Sequence, residues 1–220
     1  IIATIKAWNI EQFETRFGGN AAWRLITEPS SLKVENLHST APRFVFFPHW
    51  SWIVPEDILE AYECVCFHMT DLPYGRGGSP LQNLIARGHA DTKITALRMT
   101  GELDAGPVYM KRPLSLSGSA EAIYRRAAET VFDMIEEIVR DCPTPVPQEG
   151  PPTHFRRRRP EESLLPADAS LDQLYDHIRM LDAPEYPHAF LDHGACRLEF
   201  RNAERREDSV TATVTLRRRD

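Results

Sequence analysis

Two short apolar runs constrain this chain more than anything else in it. Arg43-Phe-Val-Phe-Phe47 lies between Pro42 and Pro48, and Cys64-Val-Cys-Phe-His68 follows after a polar stretch. Neither alternates polar with apolar, so each reads as a strand buried on both faces. Between them, Pro55 opens a helix over residues 56–62. Two doubly buried strands joined through a helix predict a mostly parallel sheet built from crossovers, hence an α/β fold.

The rest of the chain extends that plan. Residues 1–5 (IIATI) have the β-branched content of a strand, residues 11–17 read as a helix stopped by Gly18-Gly19, and residues 23–26 and 31–37 as further short elements. No G-x-G-x-x-G follows the first strand, so a dinucleotide fingerprint is absent. Ser79-Pro80-Leu81-Gln82 predicts a helix start, with Ser79 as cap and Gln82 closing a capping box, and Gly88 predicts its end. Residues 93–99 and 107–113 predict strands around the loop Thr100-Gly-Glu-Leu-Asp-Ala-Gly106. Residues 119–141 carry the strongest helical pattern. Ile123, Ala127, Val131, Ile135 and Ile138 share one stripe, Ser119 can cap it, and Glu121 suits its positive end.

Residues 142–152 hold five prolines and a glycine, as expected of a stiff linker or an ordered surface crossing. The expected domains are therefore 1–145, carrying the site, and 146–220, a small β-rich module. In the module, residues 171–181 have helical spacing. Cys196, Leu198 and Phe200, then Val210, Ala212, Val214 and Leu216, alternate as in strands buried on one face. The net charge of −6 gives no global nucleic-acid signature, and no apolar run is long enough for a bilayer. Four scattered cysteines and the lack of a signal-peptide plan point to a reduced, cytoplasmic protein, although the chain lacks an initiator Met.

Chemistry concentrates between residues 64 and 110. On a strand, Cys64, Cys66 and His68 point to one face. A zinc site needs further ligands at suitable spacing, and no C-x-x-C or H-E-x-x-H is present. A nucleophilic thiol needs an electropositive, partly exposed setting, whereas Cys66 inside an apolar strand fits a small buried hydrophobe. No metal is expected. The glycines of Tyr74-Gly-Arg-Gly-Gly78 let backbone approach a ligand.

His68-x-x-x-Leu72-Pro73-x-x-Arg76-Gly77-x-x-Pro80, followed by Leu103-Asp104-x-Gly106, resembles the 10-formyltetrahydrofolate-dependent formyltransferase family. The resemblance covers about residues 43–140 and returns at Ile178-Arg and Tyr186-Pro-His-Ala-Phe190. It implies a Rossmann-like catalytic domain with helices on both faces of its sheet. His68 would stabilise the developing oxyanion or relay a proton, and Asp104 would orient His68 and help accept the amine proton. The family's third polar residue is an asparagine two positions before the histidine; here that position is Cys66, a weak donor.

By the same resemblance, Phe47, Pro48, Trp50 and Ile53 would border the folate from one side, and Met99, Gly101 and Leu103 from the other. Packing is the alternative reading of the aromatic run. Arg76 and Gly77 would contact the amine substrate. His154-Phe-Arg-Arg-Arg-Arg-Pro160 is similar to a segment of nucleotide-linked amino-sugar N-formyltransferases, which makes Arg156 and Arg157 candidates for a diphosphate; a solvated basic patch is the alternative. The expected acceptor is thus a nucleotide-linked amino sugar of a surface-glycan route such as pseudaminic acid synthesis. The expected partners are small molecules, with no nucleic acid and no membrane, and a homodimer is compatible. A 10-formyltetrahydrofolate hydrolase and an impaired folate- or nucleotide-binding module are the alternatives.

Overall fold

The computed structural model describes residues 1–219. Its strands are β1 (Ile2–Ala3), β2 (Leu25–Ile26), β3 (Phe44–Phe47), β4 (Glu63–His68), β5 (Arg76–Gly77), β6 (Asp91–Arg98), β7 (Val108–Ser115), β8 (His154–Phe155), β9 (Ala189–His193), β10 (Cys196–Arg205) and β11 (Val210–Arg218). Its α-helices are α1 (Ala7–Phe17), α2 (Val34–His38), α3 (Glu56–Ala61), α4 (Pro80–Ile85), α5 (Ala120–Asp141) and α6 (Leu171–Arg179). The chain divides into two compact units: Ile1–Gly77, Lys93–Leu114 and Arg125–His154 form the first, and Gly78–Thr92, Ser115–Tyr124 and Phe155–Asp220 the second. The second unit therefore also takes in α4, which lies before the boundary expected at 145.

The first unit is built on a six-stranded sheet in the order β2-β1-β3-β4-β6-β7. β1 runs parallel to both β2 and β3, and β3 runs parallel to β4. β6 reverses direction, pairing antiparallel with β4 so that Cys66 faces Leu97 and His68 faces Thr95. The two apolar runs are the centre of this sheet, and their side chains alternate between two packed layers. Ala3, Val45, Phe47 and Cys64 join Leu37 of α2 and Ile58 of α3 in one cluster. On the other face an aromatic chain runs from Phe132 of α5 through Phe17 of α1 and Trp23 to Phe46 and Phe67, with successive ring centroids 3.9–6.5 Å apart. Burial on both faces is why β3 and β4 carry no polar alternation.

In the second unit, β9, β10 and β11 form an antiparallel sheet beside α6. Ser170 and Gln173 make a reciprocal capping box at the start of α6. The one-sided burial expected of β11 does not hold: Leu216 is 67% and Val214 39% exposed. The capping box expected at α4 is also absent. Ser79 takes a left-handed φ of +50°, and its Oγ instead accepts from the Arg158 backbone. Gln82 turns inward to donate to Tyr124 Oη and the Met180 carbonyl. Among the described residues no helix is long and apolar enough to cross a membrane.

Candidate functional site

The site grows from the carboxyl end of β4, beside the antiparallel strand β6. His68 is the last residue of β4 and only 8% exposed. The turn after it is pinned from β6: Thr95 Oγ1 donates to the Thr70 carbonyl at 2.6 Å and accepts from the Leu72 backbone. Lys111 of β7 donates to the Leu72 carbonyl and to Asp71, 2.5 Å away. These bonds carry the chain round to the glycine turn, where the Gly75 carbonyl accepts from His68 Nε2 at 2.7 Å. The Nε2 position is therefore committed to a backbone acceptor, and Nδ1 faces the Asp104 loop.

Asp104 sits at φ +51°, a left-handed conformation that Asp tolerates better than most residues. Its Oδ2 accepts from the Gly77 N–H at 2.9 Å and lies 3.5 Å from His68 Nδ1. Both side chains are nearly enclosed, 9% and 12% exposed. Separation by 3.5 Å exceeds the usual N–H···O range, so the pair is poised to tighten when Nδ1 gains a proton. Gly106 closes the loop where nothing larger fits: a Cβ there would lie 1.8 Å from the Arg98 carbonyl oxygen.

Cys66 borders a cavity of about 60 Å³ together with Leu97, Met99, Leu103 and Asp104. Burial pushes the Cys66 thiol far up, and the Asp104 carboxylate pushes it further. It is a neutral S–H beside the acid, not a nucleophile. Cys64, one turn of the pleat earlier, is likewise pushed up to about 12 by burial and by Glu63.

The other expected site residues separate into groups. Phe47 is 2% exposed in the core cluster, with Trp50 packed against that cluster and its ring 6.0 Å away. Pro48 is buried at the end of β3, and its carbonyl accepts from Asn9. Ile53 is 96% and Leu103 72% exposed, while Met99 and Leu103 share the cavity with Asp104. Gly101 is exposed in the same loop. Arg76 and Gly77 turn inward to protein groups: Arg76 binds Gln148 and Glu102, and Gly77 holds Asp104. Arg156 and Arg157 belong to the second unit, where Arg156 pairs with Glu162 at 2.5 Å and Arg157 is exposed. Sequence reasoning missed Gln148 and Thr153, single polar residues in a proline-rich stretch with no motif around them.

Comparison with known proteins adds three findings. A solved methionyl-tRNA formyltransferase structure from Clostridium thermocellum matches with a TM-score of 0.94 and 45% identity, over 99% of this chain and 97% of that one. The chain belongs to the formyltransferase family. A family model described as the C-terminal domain of methionyl-tRNA formyltransferase matches residues 160–217. A curated methionyl-tRNA formyltransferase from Campylobacter curvus (strain 525.92) is 26% identical over 187 residues, 81% of this chain and 62% of that protein. The chain spans about half the length of the curated relatives it matches.

These findings overturn the amino-sugar expectation. A likely sugar N-formyltransferase from Mycobacterium tuberculosis shares the fold, with a TM-score of 0.69, but only 16% identity. The basic run that carried the amino-sugar resemblance is partly structural: the Arg158 backbone donates to Ser79 Oγ, and Arg156 reaches Glu162. The expectation of no nucleic-acid partner, drawn from the net charge of −6, is not supported, since these relatives are named for a tRNA substrate.

Proposed function

We propose that this formyltransferase moves a formyl group from 10-formyltetrahydrofolate to the α-amine of methionine carried on tRNA. The observation that carries formyl transfer is the His68–Asp104 pair, held from two sides by the glycine turn at the carboxyl end of β4. The acceptor rests on the names of the relatives and on the 45% identity to one of them.

The first unit fits a flat donor with polar edges. Trp50 Nε1 is buried without a hydrogen-bond partner, and Ile53 and Leu103 offer exposed apolar surface. When bound, the folate supplies an activated formyl carbon. The protein's part is to hold protons and charge. His68 donates from Nε2 to Gly75, so in the neutral ring the lone pair is on Nδ1. Nδ1 is thus the seat for a proton leaving the attacking amine, and Asp104 Oδ2 then lies opposite a positive ring. The Gly77 N–H keeps that carboxylate aimed. Cys66 offers only a weak S–H donor where the family has an amide, so the developing oxyanion receives less help there. In the second unit, exposed arginines such as Arg157 and Arg159 suit phosphate contacts. Four free cysteines suit a reducing cytoplasm.

The test is to incubate the protein with 10-formyltetrahydrofolate and methionine-charged tRNA, hydrolyse the ester, and assay for formylmethionine by mass. Its appearance in proportion to enzyme supports the reading. Formate release that ignores the acceptor, or no turnover, refutes it.

A further inference from the structure

The proline-rich crossing has one side chain turned inward. From Val146 to His154 every residue is exposed except Gln148. Val146 forms an antiparallel bridge with Val108 of β7, with bonds of 2.7 and 2.9 Å, and this fixes the crossing against the first unit. Two residues on, the Gln148 amide is used in full. Its Nε2 donates to the carbonyls of Asp104 and Gly106, both at 2.9 Å. Its Oε1 accepts from Arg76 Nε at 3.2 Å and Nη2 at 2.9 Å. Two donors and two lone pairs all have partners, so no other side chain of this size reproduces the set.

What these four bonds join is more telling than their number. Asp104 and Gly106 belong to the loop that presents the carboxylate. Arg76 belongs to the turn whose neighbours Gly75 and Gly77 hold His68 Nε2 and Asp104 Oδ2. Farther along the crossing, Thr153 grips the same turn. Its Oγ1 accepts from the Gly75 N–H at 2.7 Å, and its carbonyl accepts from the Arg76 N–H at 2.9 Å. The acid loop and the histidine turn meet directly through the Gly77–Asp104 bond and the Arg76–Glu102 pair, and the crossing locks both from outside.

We propose that Gln148 is a positioning residue of the formyl-transfer site, setting the distance between the Asp104 carboxylate and His68. This rests on the reading of the site given above. Gln148 touches neither reacting group; it acts through the Asp104 backbone.

The experiment uses Gln148→Ala and Gln148→Glu in the full chain. Gln148→Glu keeps an acceptor for Arg76 and loses both donations to the loop. Both variants should lower kcat tenfold or more with KM for the folate changed less than threefold. In an Asp104→Asn background Gln148→Ala should have no further effect on kcat, because the carboxylate it positions is already gone. A merely structural role would multiply the two losses, and that result overturns the proposal. A second readout does not depend on turnover: amide hydrogen exchange at Gly77 should quicken at least tenfold in Gln148→Ala. Unchanged exchange at Gly77 overturns the positioning role even if the wild-type protein proves inactive, whereas wild-type inactivity with quickened exchange refutes only the reading of the reaction.

Discussion

Asp104→Asn isolates the charge of the acid from its geometry. Asparagine accepts the left-handed backbone that Asp104 uses at φ +51°, and its Oδ1 can take the Gly77 N–H now held at 2.9 Å. The side chain keeps its size and its seat. What disappears is a negative charge 3.5 Å from His68 Nδ1. Two unit charges at that distance interact by about 5 kcal/mol at an effective dielectric constant of about 20, the value suited to buried pairs. With about 1.4 kcal/mol per tenfold in rate, that corresponds to a kcat loss of roughly 10³ if the histidine is cationic in the transition state. Thermal stability should fall little, by about 1 kcal/mol for one charge-assisted bond made neutral. The assay is formylmethionine production under saturating 10-formyltetrahydrofolate and charged tRNA, paired with thermal melts of both proteins. A kcat within threefold of wild type, in a variant that melts normally, would refute the charge-pair mechanism.

Other outcomes test separate links. Cys66→Asn should raise kcat about tenfold or more, since one oxyanion donor is worth ~10²–10³ in favourable cases; an unchanged or lower rate would show the site is tuned around the thiol. Iodoacetamide at pH 8 should label Cys142 and Cys196 and spare the buried Cys64 and also Cys66, which is half-buried like the first two but whose thiol is pushed up by its surroundings and by Asp104; peptide mass mapping checks this, and equal labelling of Cys66 would contradict it. Gly106→Ala should cost about 1–3 kcal/mol of stability by urea unfolding, because the added methyl meets the Arg98 carbonyl. Burial pushes the Asp71 carboxyl up, but hydrogen bonds from Lys111 and Lys93 outweigh it and hold the group below its usual 3.8. Its contribution to stability is thus present above that value and lost as pH falls through the lower folded-state value. Asp71→Asn should destabilise at pH 6, and its difference from wild type in urea melts should shrink as pH is lowered below 3.8.

The sheet centre was readable from residues because double burial leaves an unmistakable mark: Phe44–Phe47 and Cys64–His68 carry almost nothing polar. Helix α5 was readable for a similar reason, since Ile123, Val131, Ile135 and Ile138 are all buried on its stripe. Reversal of β6 was not readable, because pairing direction depends on the path of the chain and not on side-chain pattern. Ser79 looked like a cap by type, yet its left-handed backbone points the hydroxyl elsewhere. At the site, the histidine and aspartate stood out through a motif. Gln148 did not, because it is marked only by four bonds to three residues distant in sequence, Arg76, Asp104 and Gly106. The basic run from Arg156 to Arg159 misled through its resemblance to a segment of the amino-sugar enzymes: Arg156 is paired with Glu162 and the Arg158 backbone holds Ser79, which leaves only Arg157 and Arg159 as exposed candidates.

The bonds from Gln148 and Thr153 to Arg76 and Gly75 span 72 and 78 residues of chain. Contacts of such long sequence separation form late, after shorter-range structure has already closed most of the loop between them. During synthesis, β4 and its histidine leave the ribosome well before the segment that completes their surroundings. The geometry of the pair is therefore completed by a segment well downstream of β4. A ribosome stalled before residue 148 would hold the histidine of β4 without the bonds from Gln148 that anchor the acid loop.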